Sequence, residues 1–574
     1  MLKTKFFTSL DRVFPEQDWE WTERTTGTGT MLANERFSFQ LGYRFDGPPS
    51  RIRVELEPAC GGVTIRRAGR VPAEYVHPAW ADDRYERTLP GLFPDPLLPL
   101  EEGNGLRVCS DGANALWIAV EGEELIRNGD LAKDGGKPVV LPIRIRFWEE
   151  GGEGERLLAG AEYELTVLPC RLPEQKTVFT QWFHGDCLAL RYGVSPLSEE
   201  WWALAERYVS CAAKNGVSMI LTPVFTPPLD TPVGKERLTV QLVEVKREAE
   251  GAPWSFGFGH LRRWIRMCSA CGIRYFEISH LFSQWGAACA PKIEAETEAG
   301  RRRVFGWETG ADDPAYADFL DAFLPCLAAF LKEEGVWERC FFHVSDEPSE
   351  NQLGSYKRSN EILRKHIGER PVMDAISDLS FYEKGLIDLP VCAADHIGPF
   401  LEKGVRPLFA YYCCAQSTGV SNRFLGMPSV RNRSIGIQIY CNRVEGFLHW
   451  GYNYWLTPGS AGLLDPYAIT DCMKTFPAGD AFSVYPGQEG PVESIRQAVF
   501  YEALQDVRLL RLLEEREGRE AVEKLLENWR WKDFSDCPDD PADFWRLREK
   551  LLEEVCKFFT FSSSVIFEKE VDNK

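Results

Sequence analysis

Two carboxyl side chains stand side by side at Asp346 and Glu347, in the run His343-Val-Ser-Asp-Glu-Pro348. Adjacent acids push each other's proton affinities apart, because ionising one disfavours ionising the other. One can then move protons while its neighbour holds charge near a reacting centre. The preceding Phe341-Phe342-His343-Val344 reads as a buried strand, and Pro348 stops it. Neighbouring residues on a regular strand point to opposite faces, so both acids reach one pocket only if the backbone turns there.

Other strand-like runs end on similar side chains. Trp182-Phe-His184-Gly-Asp186 closes one, and His280-Leu-Phe-Ser-Gln284-Trp285 another. Asp374, Asp378 and Asp395-His396 close two more, Tyr411-Tyr412 a fifth, and His449-Trp450-Gly-Tyr452-Asn453-Tyr454-Trp455 a sixth. Aromatic faces mixed with hydrogen-bonding groups suit a ligand that is polar at its edge and apolar on its face, as a sugar is. Candidate sugar contacts are His184, His280, Trp285, Asp374, Tyr412, Trp450, Tyr452, Asn453 and Trp455, around the catalytic candidates Asp346 and Glu347.

The elements that must position them fall into three parts. Residues 1–172 read as a β-sandwich: Arg36–Arg44, Arg51–Leu56 and Pro142–Phe147 alternate polar with apolar, and turns such as Gly103-Asn-Gly105 and Asp134-Gly-Gly136 separate such runs. Residues 173–518 alternate short apolar runs with helical patterns. Eight strands are expected, at Phe179–Phe183, Ser218–Phe225, Tyr275–Phe282, Cys340–Asp346, Val372–Ile376, Val391–His396, Leu408–Cys413 and Phe447–Trp455. Eight β/α alternations predict a (β/α)8 TIM barrel, whose chemistry sits at the C-terminal strand ends. Ser198 and Asp313 should cap helices, Pro325 should kink the second, and Pro227–Trp254 should be the main insertion. Residues 519–574 read as a helical extension ending in a short apolar run and the charged tail Glu568–Lys574.

The bulk numbers exclude several functions. A formal net charge of −20 over 574 residues repels phosphate backbones and anionic lipid, so no nucleic-acid partner and no membrane insertion are expected. The opening Lys3/Lys5 and apolar residues imitate a secretion signal, but Asp11 and Arg12 close the stretch too early. Seventeen scattered cysteines predict reduced thiols in the cytoplasm. His184, Asp186, His280 and His396 could converge on zinc, but no metal-binding motif accompanies them, and phosphate loops are absent; no metal and no cofactor are expected.

The motif His343–Pro348 resembles the signature of glycoside hydrolase family 123 and of the larger uncharacterised-domain family 4091. Gly91-Leu-Phe-Pro-Asp-Pro-Leu97, His280–Gly286, Pro371–Ser377, Gly446–Trp455, and Tyr485-Pro-Gly487 with Glu493-Ser-Ile-Arg496 also resemble that family's landmarks, in order. Tyr411-Tyr412-Cys-Cys414 is poorer in tryptophan than its seventh-strand motif. The resemblance implies a β-sandwich followed by the barrel, and exo-acting β-N-acetylgalactosaminidase activity with retention. It implies that the substrate's 2-acetamido oxygen is the nucleophile and that an oxazolinium ion forms. An ionised Asp346 would then orient and stabilise the acetamido group, and Glu347, kept protonated by that charge and by partial burial, would serve as acid and then base. The partner would be an oligosaccharide or glycoconjugate with a terminal amino sugar. A hydrolase of another glycan, or a silent carbohydrate-binding protein, stays open at this point.

Overall fold

The computed structural model describes residues 1–129, 137–151 and 154–558. The turn at Asp134–Gly136, the terminal apolar run and the tail Glu568–Lys574 lie outside the described residues. The N-terminal region is a sandwich of two five-stranded sheets. One runs Leu2–Thr8, Arg36–Phe45, Ala113–Glu121, Val63–Ala73, Gly91–Leu98; the other Arg24–Leu32, Gly154–Leu168, Val139–Gly151, Ser50–Glu57, Gly105–Val108. Pairing is antiparallel except between Arg24–Leu32 and Gly154–Leu168. The alternation reads out as expected: Ile143, Ile145 and Phe147 are buried between the sheets, whereas Arg144 and Arg146 bind exposed glutamates. Phe39 and Tyr163 stack across the sandwich at 3.9 Å.

The barrel contains all eight expected strands, at Val178–Gln181, Met219–Thr222, Tyr275–Ile278, Cys340–Phe342, Met373–Ala375, Leu389–Ala393, Phe409–Tyr411 and Gly446–His449. They form one parallel sheet, and a parallel bridge between Phe342 and Val372 closes it. Each strand is shorter than its apolar run, because the C-terminal ends splay into the loops that carry the site. Met219, Leu221, Met373, Val391, Phe409, Tyr411 and Leu448 fill the interior. Alternate residues, such as Ile220, Phe276, Tyr412 and Phe447, pack outward against the helices.

The helix Glu199–Lys214 is capped by Ser198, and Pro314–Glu333 by Asp313, as expected. The second runs as one helix through Pro325. It is long and apolar enough to cross a membrane by length and composition, but Phe319, Phe323, Leu327 and Leu331 on it are buried in the barrel's outer layer, as in a core helix. The insertion after the second strand does not fold alone. Its strands Glu244–Arg247 and Ser255–Gly257 join Ile293–Thr297 and Gly300–Phe305, from beyond the third barrel strand, in a four-stranded sheet beside the mouth.

Two helices, Ser429–Cys441 and Ile495–Glu517, join barrel to sandwich. Gly436 lies so close to the second that a Cβ there would stand 2.2 Å from the Ala503 carbonyl oxygen. The C-terminal helices Arg519–Leu525 and Pro541–Lys557 complete a core shared with the outer face of the sandwich: Val522, Phe544, Leu551 and Val555 join Phe7, Leu10, Trp117 and Leu168. Three sequence landmarks meet in one buried ion pair. Asp95 accepts from Arg496 at 3.0 and 2.8 Å and from the Tyr485 hydroxyl at 2.6 Å.

Candidate active site

The chain leaves the fourth barrel strand through His343 and reaches Asp346 and Glu347 where the backbone turns. Glu347 adopts φ +45°, a left-handed conformation that costs energy for a side chain with a Cβ. That turn breaks the strand's two-residue alternation and lets two neighbouring carboxyls serve one mouth. Asp346 is buried, and its Oδ2 accepts from Gln284 Nε2 at 2.7 Å. The Trp285 N–H caps its backbone carbonyl at 2.9 Å. Glu347 is exposed, and its Oε1 accepts from the Tyr411 hydroxyl at 2.7 Å.

Burial drives the Asp346 carboxyl well above the usual carboxylate range, and the charges of Glu347 and Asp374 add to the effect. His343 and Gln284 pull it partly back. The expectation of a partly buried, raised Glu347 beside an ionised Asp346 is corrected: Asp346 is the buried acid and its carboxyl is the one raised, while Glu347 is exposed.

Directly beneath lies a fully buried triad. His343 bridges Asp374 Oδ1 and Glu277 Oε2, each at 3.0 Å. Burial opposes the imidazolium, yet the two carboxylates raise it to about 9, so His343 is a cation at neutral pH. Asp374 also accepts from Tyr356 at 2.6 Å and from the backbone N–H groups of Val344 and Ser345. It therefore fastens the segment that carries Asp346 and Glu347, and its expected role as a sugar contact is corrected to that one. Glu277 likewise holds Trp182 Nε1 at 2.9 Å and the Thr180 hydroxyl.

His280 stacks on His343 with ring centroids 4.3 Å apart. Burial and the neighbouring cation depress its pKa far below the ordinary value, so it is neutral, and neither ring nitrogen has a protein partner. His280, His343 and Asp374 bring ligand atoms within 4.8 Å of one another. Both His343 nitrogens are already committed to carboxylates, so this donor set does not fit a metal.

A second wall is built from the first and eighth strand ends. His184 Nε2 meets the Trp450 carbonyl at 2.9 Å and its Nδ1 meets Arg237 at 3.1 Å; burial, then the Arg237 charge, lowers it to about 3. Arg237 is itself gripped by Asp186 through two 2.7 Å bonds. Asn453 clasps the backbone of His184 from both sides, at 2.8 and 3.0 Å, so it positions a loop. Half-buried Trp450 donates to Asp480 at 3.1 Å, and burial raises that acid to about 7. Trp285, 50% exposed, offers a ring at the rim beside Asp346.

Three expected sugar contacts face away from the mouth. Tyr412 donates to Asn432 at 3.0 Å, Tyr452 to the Tyr208 carbonyl at 2.9 Å, and Trp455 to the Val484 carbonyl at 3.2 Å. All three are buried between barrel and helices and are corrected to core residues. Strand alternation explains the first: Phe409 and Tyr411 face inward, so Tyr412 must face outward. Tyr411, Gln284, Tyr454, Asp480 and Asp230 are the site residues that sequence reasoning missed. The inward register of the seventh strand would have pointed to Tyr411; Asp230 sits in a loop whose sequence carries no such signal.

Comparison with known proteins agrees with this geometry. The family described as Glycoside hydrolase 123, catalytic domain, matches residues 182–513. No curated protein matches the chain. A solved structure of a family 123 glycoside hydrolase from Clostridium perfringens, described as acting in glycolipid glycan hydrolysis, superposes with a TM-score of 0.72 at 13% identity. It covers 97% of this chain and 99% of its own. A family 39 glycoside hydrolase from the gut symbiont Bacteroides cellulosilyticus WH2 covers 84% of this chain and 81% of its own, at a TM-score of 0.32 and 10% identity. The sandwich-plus-barrel fold is thus shared with the Clostridium protein, and the family match spans more than half of the sequence; the chain belongs to glycoside hydrolase family 123 and is a glycoside hydrolase.

Proposed function

We propose that this hydrolase removes terminal β-linked N-acetylgalactosamine from an oligosaccharide or glycoconjugate, with retention, using the substrate's own acetamido group as nucleophile. The observation that carries the proposal is the left-handed turn at Glu347, which presents two adjacent carboxyls to one mouth from a single strand end. The acids beneath, Asp374 and Glu277, are sealed on His343 and offer no separate nucleophile. A substrate that brings its own nucleophile fits such a site.

In the first step the acetamido oxygen attacks C1 while the glycosidic C–O bond breaks, and Glu347 gives its proton to the leaving oxygen. In the second, water attacks C1 of the oxazolinium ion, Glu347 takes the water's proton, and the C1–oxygen bond to the acetamido group opens. The acetamido nitrogen gains positive charge on the way, so an ionised Asp346 accepting its N–H binds the transition state more strongly than the substrate. Gln284 already occupies Oδ2, which leaves Oδ1 for that N–H. Within the protein alone burial raises the Asp346 carboxyl; the substrate's N–H favours its ionised form. Tyr411 steadies Glu347 in both of its states. Seventeen thiols without a disulfide fit a cytoplasmic, reducing setting.

The test is hydrolysis of an aryl β-N-acetylgalactosaminide, followed by NMR of the first-formed anomer. Retention is expected, with inhibition by a thiazoline mimic of the intermediate. Glu347→Gln should lower kcat by roughly 10³-fold, the usual scale for a lost proton donor. Inversion, or equal turnover of a glycoside lacking the acetamido group, would overturn the mechanism.

A further inference from the structure

Asp230 lies on the insertion after the second barrel strand, more than fifty residues from Gln284 in sequence, yet the two are bonded. The Asp230 N–H donates to Gln284 Oε1 at 2.7 Å. The other end of the same amide donates to Asp346 Oδ2, also at 2.7 Å. One glutamine side chain therefore ties this loop to the catalytic pair, and both ends of its amide are assigned: oxygen to the loop, nitrogen to the acid. Asp230 is held in a left-handed conformation, φ +44°, a region that Asp and Asn tolerate better than other side chains. Its own carbonyl accepts from Ser460 Oγ at 2.9 Å, fixing the loop from the far side.

Its carboxylate is half-buried and turned to the wall that holds His184 and Trp450. It accepts the Tyr454 hydroxyl, and the Gly459 N–H supports it. The Tyr454 ring meets the rings of His184 and Trp450 edge-on at 5.3 and 5.1 Å. A carboxylate has about four acceptor positions, so two neutral donors leave room for more. Arg237, whose guanidinium lies 5.7 Å from the Tyr454 ring centre, is ion-paired with Asp186 and acts on Asp230 only as a more distant charge that favours its ionised form. A partly desolvated acid with spare acceptor capacity and no salt bridge among the described residues, one amide away from the group that meets C2 of the sugar, calls for hydroxyl donors.

We propose that Asp230 is a specificity-determining residue that accepts hydrogen bonds from the sugar's 3- and 4-hydroxyls, and that Gln284 is the positioning residue linking this recognition to Asp346. The proposal rests on the reading that C2 of the substrate sits at Asp346. The hydroxyls at C3 and C4 follow C2 around the ring, on the side toward which the Gln284 amide leads. Sugars with the correct hydroxyls hold the loop in place, and the loop holds Gln284 against Asp346. A sugar lacking them loses more than a contact, because the acid that must orient the acetamido group is then less well held.

The experiment compares aryl β-N-acetylgalactosaminide with its 3-deoxy and 4-deoxy forms on wild type and on Asp230→Asn, a variant that keeps the left-handed turn. Wild type should lose roughly 10²-fold or more in kcat/KM on a deoxy substrate, as sites built to bond a hydroxyl do. Asp230→Asn should lose a similar factor on the parent sugar but a clearly smaller one on each deoxy form, since one of its two partners is already gone. Equal losses on all three sugars, or none, would overturn the role of Asp230. Gln284→Met should lower kcat more than it raises KM. It should also move the acid limb of the pH profile upward, because Asp346 loses a donor that favours its ionised form. An unmoved acid limb would reduce Gln284 to packing. If wild type turns over no aryl N-acetylhexosaminide, the mechanism proposed above has failed. Calorimetric binding of N-acetylgalactosamine and its deoxy forms to the same variants then decides the question for Asp230, and absence of binding overturns it too.

Discussion

The molecule buries charge in two places and balances it differently in each. At the junction of sandwich and barrel, Asp95 faces Arg496, and Arg433 and Arg548 face Glu502, Asp506 and Glu35. Each acid there has a guanidinium, and Arg496 is kept above its usual pKa by Asp95 in spite of burial. At the mouth, Asp346, Asp374 and Glu277 share a single cation, His343. Acids that each touch a guanidinium lock a geometry. Three acids around one cation must keep a proton among them, and unbalanced clusters of this kind mark functional sites.

The contrast is sharpest in Asp346→Asn. Losing the acid proposed to stabilise the developing positive charge should lower kcat by roughly 10²–10³-fold. The same substitution should stabilise the fold. Asp346 binds its proton more tightly when folded than when unfolded, so its contribution to stability falls as pH rises from the ordinary Asp range toward its raised folded value. The melting-temperature advantage of the Asn variant should therefore grow with pH across that window, and a constant difference would break the comparison. At the junction the signs reverse. Asp95→Ala leaves the buried Arg496 cation with only the Gly479 and Phe482 carbonyls and Tyr485 without its carboxylate acceptor, and should cost about 3–5 kcal/mol in urea unfolding. Turnover of the folded protein should stay within roughly twofold, since this pair lies outside the mouth. The smallest effects come from matched hydroxyl deletions. Tyr411→Phe should reduce kcat by about tenfold with little change in stability, whereas Tyr485→Phe should lower stability by about 1.5 kcal/mol and leave kcat alone. Equal stability losses in the two would mean that the two regions do not differ as described.

Much of this was legible in the residues. The eight barrel strands follow from apolar runs between helical patterns, and Asp346 and Glu347 follow from their place at a strand end. What failed was direction. Tyr412, Tyr452 and Trp455 share the composition of a sugar site but lie on the outward register, and composition says nothing about register where a strand dissolves into a loop. Asp374 was read as a ligand because acids at strand ends reach ligands. Its bonds to Val344 and Ser345 depend on how two adjacent strands are staggered, which only the closed barrel settles. Asp230 and Gln284 were out of reach for the same reason: their contact joins two loops that no periodicity connects.

The core that Phe7, Leu10, Trp117 and Leu168 share with the last helices has a consequence during synthesis. The sandwich can close its inter-sheet core as soon as its strands leave the ribosome, but its outer face meets Phe544, Leu551 and Val555 only roughly 390 residues later, from 168 to 556. At about 5–20 residues per second that face stays uncovered for roughly 20–80 s. A truncation that spares the whole barrel but removes the last two helices should therefore fail through aggregation of the sandwich.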